Sequence, residues 1–180
     1  MRRVLYIMGI LNDADLEWMA IHGVTKNVEA GTMIIRANEN IDSIYILLDG
    51  KLSVHSTSGA EIARLGCGEM LGEISFVDSR LPSASIVALD NSSLLAISRE
   101  ALNAKLSSDE GFAARFYKAV GAFLADRLRT AVSQMGYEST RRELPAADGD
   151  DLDDVWMENV SFAASRFDQL LKRLGINQSA

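Results

Sequence analysis

From residue 24 to residue 97 the apolar positions fall in short runs, at 32–36, 43–48, 51–56, 61–65, 85–89 and 94–97. Several runs alternate with polar residues and are rich in β-branched side chains, the pattern of strands whose successive side chains point to opposite faces. Gly31, Asp49-Gly50, Ser58-Gly59, Gly66-Cys67-Gly68 and Asp90-Asn91 separate the runs as turn signals. Short strands broken by glycine turns at about 8–12-residue spacing predict an antiparallel sandwich or jelly roll. The clearest hairpin signal is Asp49-Gly50, set between Tyr45-Ile46-Leu47-Leu48 and Lys51-Leu52-Ser53-Val54.

Helical periods flank the strands. Residues 4–22 carry Leu5, Ile10, Leu11, Leu16 and Met19 around Asn12-Asp13-Ala14-Asp15, so Asn12 or Asp13 is the expected cap of a short N-terminal helix. Residues 99–106 form a second short segment. Phe112, Phe116, Val120, Phe123, Leu124, Leu128, Val132 and Met135 then recur at helical spacing, predicting one long amphipathic helix of about 25 residues. Ser107 or Ser108 is its expected cap, with Asp109 and Glu110 in the first turn and Gly136 at its end. The first half of the stripe is expected to pack on the chain's own strands. Leu128, Val132 and Met135 lie past the reach of a compact roll and predict a homodimer through the long helix, 108–135.

Residues 138–154 are polar and acidic, with Pro145, Gly149, Asp150, Asp151, Asp153 and Asp154, a linker composition. Trp156, Val160, Ala163, Phe167, Leu170, Leu171 and Leu174 then share one side of an expected tail helix, with Asp153 or Asp154 capping its start and Gly175 following its end. The predicted organisation is residues 1–136 as one domain with its long C-terminal helix, 137–154 as acidic linker and 155–176 as tail helix. The apolar side of the tail must be buried, against the long helix or the strands.

Composition narrows the function. At 180 residues the chain fits one domain with an appendage. A net charge of −7 repels nucleic acid and anionic membrane. Cys67, the single cysteine, forms no disulfide within the chain and fits a reducing compartment, where it is expected to pack as a small apolar residue. The start Met1-Arg2-Arg3 with apolar residues 4–11 lacks a small-residue cleavage site, and Asp13 and Asp15 follow at once. With no run as long as the roughly 18 apolar residues of a membrane span, a cytoplasmic location is expected.

The densest chemistry lies between Gly66 and Ile86. Gly66, Gly68 and Gly72 let backbone approach a ligand, and a short helical turn starting near Gly72 would leave N–H groups free for an anion. Glu73 beside them can accept hydrogen bonds from sugar hydroxyls. Gly72-Glu73-Ile74-Ser75 and Ser83-Ala84-Ser85-Ile86 resemble the two halves of the phosphate-binding cassette of the cyclic nucleotide-binding domain family, and the run 44–54 resembles that family's aliphatic-Tyr-aliphatic-Leu-x-Gly signature. The resemblance covers about residues 10–135. It implies a mainly β fold with flanking helices, a double-stranded β-helix (jelly roll) of about eight strands, and a ligand, cAMP or cGMP. The implied ligand-binding residues are Gly72, Glu73, Ile74, Ser75, Arg80, Pro82, Ser83, Ala84 and Ser85. One member is missing: where the family places an arginine on the cyclic phosphate, this chain has Pro82 and Ser83, and the nearest arginine is Arg80. Either Arg80 reaches back over a loop stiffened by Pro82, or backbone N–H groups of Ile74 and Ser75 with the Ser83 and Ser85 hydroxyls hold the phosphate alone.

Other chemistries fit less well. A metal-dependent cupin needs converging histidines, and the chain has only His22 and His55, so no metal is expected. Neither histidine lies near a nucleophile-elbow pattern, and no enzymatic activity is expected. The family's transcription factors carry a helix-turn-helix module after the long helix. Here residues 136–180 hold five basic and nine acidic side chains, so no DNA binding is expected. Two functions remain: a cyclic-nucleotide sensor that signals to a protein partner through its C-terminal helices, or a fold of the same kind that has lost its ligand and serves as a dimerisation or interaction module.

Overall fold

The computed structural model describes residues 8–134 and 151–176, with side chains for 8–132 and 162–176. Leu5, Met135, the expected Gly136 cap and most of the expected linker lie outside the described residues. In chain order the elements are α1 (Asp13–His22), β1 (Val24–Val28), β2 (Met33–Ile35), β3 (Ser43–Asp49), β4 (Leu52–His55), β5 (Glu61–Leu65), β6 (Met70–Leu71), α2 (Glu73–Asp78), β7 (Ser85–Ala88), β8 (Ser92–Ser98), α3 (Arg99–Ser108), α4 (Glu110–Gln134) and α5 (Asp151–Arg173). The strands form two four-stranded antiparallel sheets, ordered β1-β8-β3-β6 and β2-β7-β4-β5. This is the expected jelly roll with flanking helices.

The alternation within β3 and β8 explains the layering. Tyr45 and Leu47 of β3, with Leu94 and Ala96 of β8, face the second sheet and meet Ile35, Leu52, Leu65, Leu71, Ile86 and Ala88. Ile44, Ile46 and Leu48, with Leu95 and Ile97, face the other way into a second core made with the helices, where Phe112, Phe116, Val120 and Phe123 of α4 are buried. A strand buried on both faces has no polar side left to show. Hence the unbroken apolar run of β3.

One expectation fails here. Asp49-Gly50 does not close a hairpin: β3 pairs with β8 and β6, whereas β4 pairs with β5 and β7 in the other sheet. The dipeptide is a corner between sheets. Lys51 N–H donates to Asp90 Oδ1 and Leu89 N–H to Lys51 O, holding the corner against the β7–β8 turn. Gly50 has φ +97, and a Cβ there would fall 2.8 Å from the Ser92 Cα, so the position requires glycine.

The helices are fixed by caps and buried charge. Asn12 caps α1, its side chain accepting from Asp15 N–H while Asp15 accepts from Asn12 N–H. Asp15 also takes a two-pronged bond from Arg115 of α4, at 2.6 and 2.8 Å, tying the first helix to the long one. The cap of α4 is Asp109, whose Oδ1 accepts from Phe112 N–H, rather than Ser107 or Ser108: α3 runs on through both serines. The first half of the α4 stripe is buried as expected, whereas Leu128 is 65% and Val132 43% exposed.

The tail helix α5 begins at Asp151 rather than near Val155. It packs on α1. Ala163, Phe167, Leu170 and Leu171 join the core that contains Leu16 and Met19, and Arg166 donates to Asp13 Oδ1 and to the carbonyls of Met8 and Leu11. Phe167→Ala is therefore expected to cost about 3–5 kcal/mol in urea unfolding. The same change at Phe162, 65% exposed on that helix, is expected to cost under about 1 kcal/mol.

Candidate functional site

A cavity of about 330 Å³ lies where the two halves of the cassette stretch meet the long helix. The first half enters it through a backbone reversal. Gly72 has φ +81, a left-handed conformation that requires glycine, and it lies against Ile41 Cδ1. Beyond it α2 turns Glu73 inward and Ile74 outward, while Phe76 N–H bonds back to Gly72 O. The helix is held from below by Arg99 at the start of α3, which donates to the carbonyls of Ser75 and Ile41 and stacks its guanidinium over the Phe76 ring. Ser79, with φ 57, ends α2, and Asn38 N–H donates to Pro82 O, fixing the loop that carries the second half.

Of the residues singled out in the sequence, Gly72, Glu73, Ile74, Ser75, Arg80, Pro82, Ser83 and Ala84 line this cavity. Ser85 does not: its hydroxyl accepts from Ala37 N–H at 3.0 Å, and it borders a separate cleft beside Arg36 and His55. The reason is the strand period, which puts neighbouring side chains on opposite faces where β7 begins. Arg80 is exposed on the loop, with its backbone N–H on Asp78 Oδ1.

The residue that sequence reasoning missed is Arg127 of α4. Its Nη1 donates to Glu73 Oε1 at 2.5 Å, and its Nη2 to Met70 O at 3.3 Å and Glu69 Oε2 at 3.4 Å. The guanidinium also lies 4.4 Å from the centre of the Phe123 ring. Glu69 and Glu73 are both buried, Glu73 to 2% exposure. A charged residue one position before the exposed Leu128 reads as part of a solvated face; only the fold, bringing residues 54 apart into contact, turns it inward.

Burial holds the Glu73 carboxyl above its ordinary range, against the pull of Arg127 and of its own backbone N–H, while Glu69 adds to the rise. Cys67 is also raised, by burial first and then by Asp49; its thiol packs against the helical core and lies 3.8 Å from Gly50 O, an inert packing role. His55 bonds Ser53 Oγ at 2.8 Å and Gly59 O at 3.2 Å. Among the described residues no cluster could hold a metal, and no helix is long and apolar enough to cross a membrane.

The jelly roll with a glycine-turned cassette closing on a cavity is the architecture of a cyclic nucleotide-binding domain. Residues 25–109 match the family model "Cyclic nucleotide-binding domain", and that part of the chain belongs to this family. Among solved structures, a cyclic nucleotide-binding domain from Methylobacillus flagellatus is similar with a TM-score of 0.68 and 20% identity, over 80% of this chain and 86% of that one. The regulatory domain of Toxoplasma gondii PKA, crystallised with cAMP, is similar with a TM-score of 0.50 and 22% identity, over 57% of this chain and 43% of that one. A curated relative, lysophospholipase nte1 of Aspergillus fumigatus, is 27% identical over 130 residues, 70% of this chain. The chain spans about 8% of the length of that relative.

The raised Glu73 carboxyl carries a sign. A carboxyl that protonates more readily when folded than when unfolded adds stability below its ordinary 4.5 and loses it as pH rises through the folded value. The unfolding free energy of wild type minus that of Glu73→Gln is therefore expected to fall as pH rises from below 4.5 to neutrality. Denaturant unfolding of both proteins across that range checks it; a difference that grows with pH would contradict the burial argument.

Proposed function

We propose that this chain is a regulatory module that binds a cyclic nucleotide, cAMP or cGMP, and passes its occupancy through the C-terminal helices to a protein partner. The observation that carries this is the cavity itself: both halves of the cassette line it, and so does Arg127 of the long helix. Ligand and helix thus meet at one set of residues. In this reading Glu73 accepts from the ribose hydroxyls, Gly72, Ile74 and Ser75 offer backbone, Ser83 its hydroxyl, Pro82 and Ala84 shape the wall, and Arg80 stands at the loop edge. Ser85 serves the backbone of the neighbouring loop instead. The module does no chemistry of its own, binds neither DNA nor membrane, and works in the cytoplasm.

The domain division follows the same reading: residues 1–136 form the sensing domain, the acidic linker follows it, and the tail helix ends the chain. Leu128 and Val132, exposed on the helix that reaches the cavity, support a homodimer through that helix. Light scattering is expected to give a dimer for wild type and a monomer for Val132→Glu, which would bury a charge in the seam. A wild-type monomer at high concentration would contradict it.

A second reading has its own support. The cassette lacks its arginine, and Glu73 already has a partner in Arg127; both fit a ligand-free interaction module. Calorimetric titration with cAMP and cGMP separates the two. Wild type is expected to bind one of them, and Glu73→Ala to weaken that binding by about 10-fold or more, the loss of hydrogen bonds to a charged group. No binding by wild type would leave the interaction module.

A further inference from the structure

Two basic side chains line the cavity among the described residues, and they differ in surroundings. Arg80 stands in solvent on the loop after α2. Its charge is screened by water, and no described residue orients its guanidinium. Arg127 is largely buried, with 24% of its side chain exposed, and is held in place by Glu73, Glu69, the Met70 carbonyl and the Phe123 ring. A guanidinium presents five N–H donors. Those bonds use one on Nη1 and two on Nη2, leaving the Nε donor and the second Nη1 donor without a protein partner among the described residues. A pre-oriented cation with free donors in a recess suits an anion better than a mobile one in water, because less freedom is lost on binding and the field is less screened.

We propose, resting on the cyclic-nucleotide reading above, that Arg127 is the anion-recognition residue of this cavity. The long helix, rather than the cassette loop, supplies the guanidinium that holds the ligand phosphate, filling the role left open where Pro82 and Ser83 replace the expected arginine. Glu73 then has two duties, anchoring Arg127 through one oxygen and accepting a sugar hydroxyl with the other. Glu69, partly sharing Arg127, keeps the guanidinium from following the ligand out. Affinity for the phosphate and the position of α4 become one quantity, since the side chain that meets the anion is part of the helix.

The test compares a cyclic nucleotide with its own nucleoside, cAMP with adenosine or cGMP with guanosine, on the full chain by calorimetry. The ratio of the two affinities reports phosphate recognition and is insensitive to a general loosening of the fold. Wild type is expected to prefer the cyclic nucleotide, Arg127→Gln to lose about 10- to 100-fold of that preference, and Arg80→Ala to keep it. Because Arg127→Gln strips two buried carboxylates of their counter-charge, Arg127→Lys runs beside it. That variant retains the charge without the fork and is expected to give an intermediate ratio. A preference that survives in both Arg127 variants, or one lost in Arg80→Ala instead, overturns the assignment while leaving nucleotide binding intact. Equal wild-type affinity for nucleotide and nucleoside overturns it as well. Failure of wild type to bind either cyclic nucleotide overturns both the assignment and the function it rests on.

Discussion

The bond between Arg127 and the two buried carboxylates Glu69 and Glu73 is the constraint on which the rest of the molecule depends. An unpaired carboxylate in that position would be costly, and removing one partner of a buried pair leaves the other stranded. The pair therefore fixes where α4 runs relative to the cassette. A second arginine acts on the same short helix: Arg99 grips the carbonyls of Ser75 and Ile41 and the face of Phe76. The six-residue helix α2, too short to be stable by itself, is thus held by guanidinium groups from the two helices that follow the roll. Whatever enters the cavity meets groups already linked to α3 and α4.

The layering makes that linkage stiff. β3 and β8 lie between two cores, so the sheet that carries β6 and leads into α2 is packed on both faces. Interiors packed in this way rearrange between discrete arrangements and yield little to gradual deformation. Arg115 bonding Asp15, and Arg166 bonding Asp13 and the carbonyls before it, extend the same device to α1 and the tail. The charges that matter in this chain are arginines on helices reaching acids or carbonyls elsewhere, a pattern that the net charge of −7 conceals.

Much of the fold was legible because it rests on periodicity. The β3 run and the α4 stripe through Phe112, Phe116, Val120 and Phe123 are local patterns with one physical solution, whereas the cassette halves around Gly72 and Ala84 were legible as a resemblance to a family motif. What was not legible depends on the third dimension. Asp49-Gly50 has the composition of a hairpin turn, yet the apolar faces of β3 and β4 are better buried in separate sheets than side by side. β6 has only Met70 and Leu71, too few residues to show a period. Ser85 looked equivalent to Ser83, but β7 begins at Ser85, whose side chain faces away from that of its neighbour Ile86, while Ser83 lies in the loop before the strand. Arg127 could not be found at all, since nothing in the spacing of residues 69, 73 and 127 says that they meet.

The central claim is that the cavity bounded by Gly72, Glu73, Ser83, Ala84 and Arg127 is where a cyclic nucleotide sits. Amide hydrogen exchange with and without saturating cAMP or cGMP tests it directly, because it locates the ligand on the backbone. Slowed exchange is expected at residues 72–76 and 83–86, with a change in α4 around residue 127. Protection confined to the cleft beside Arg36 and His55, or no protection anywhere, would contradict it.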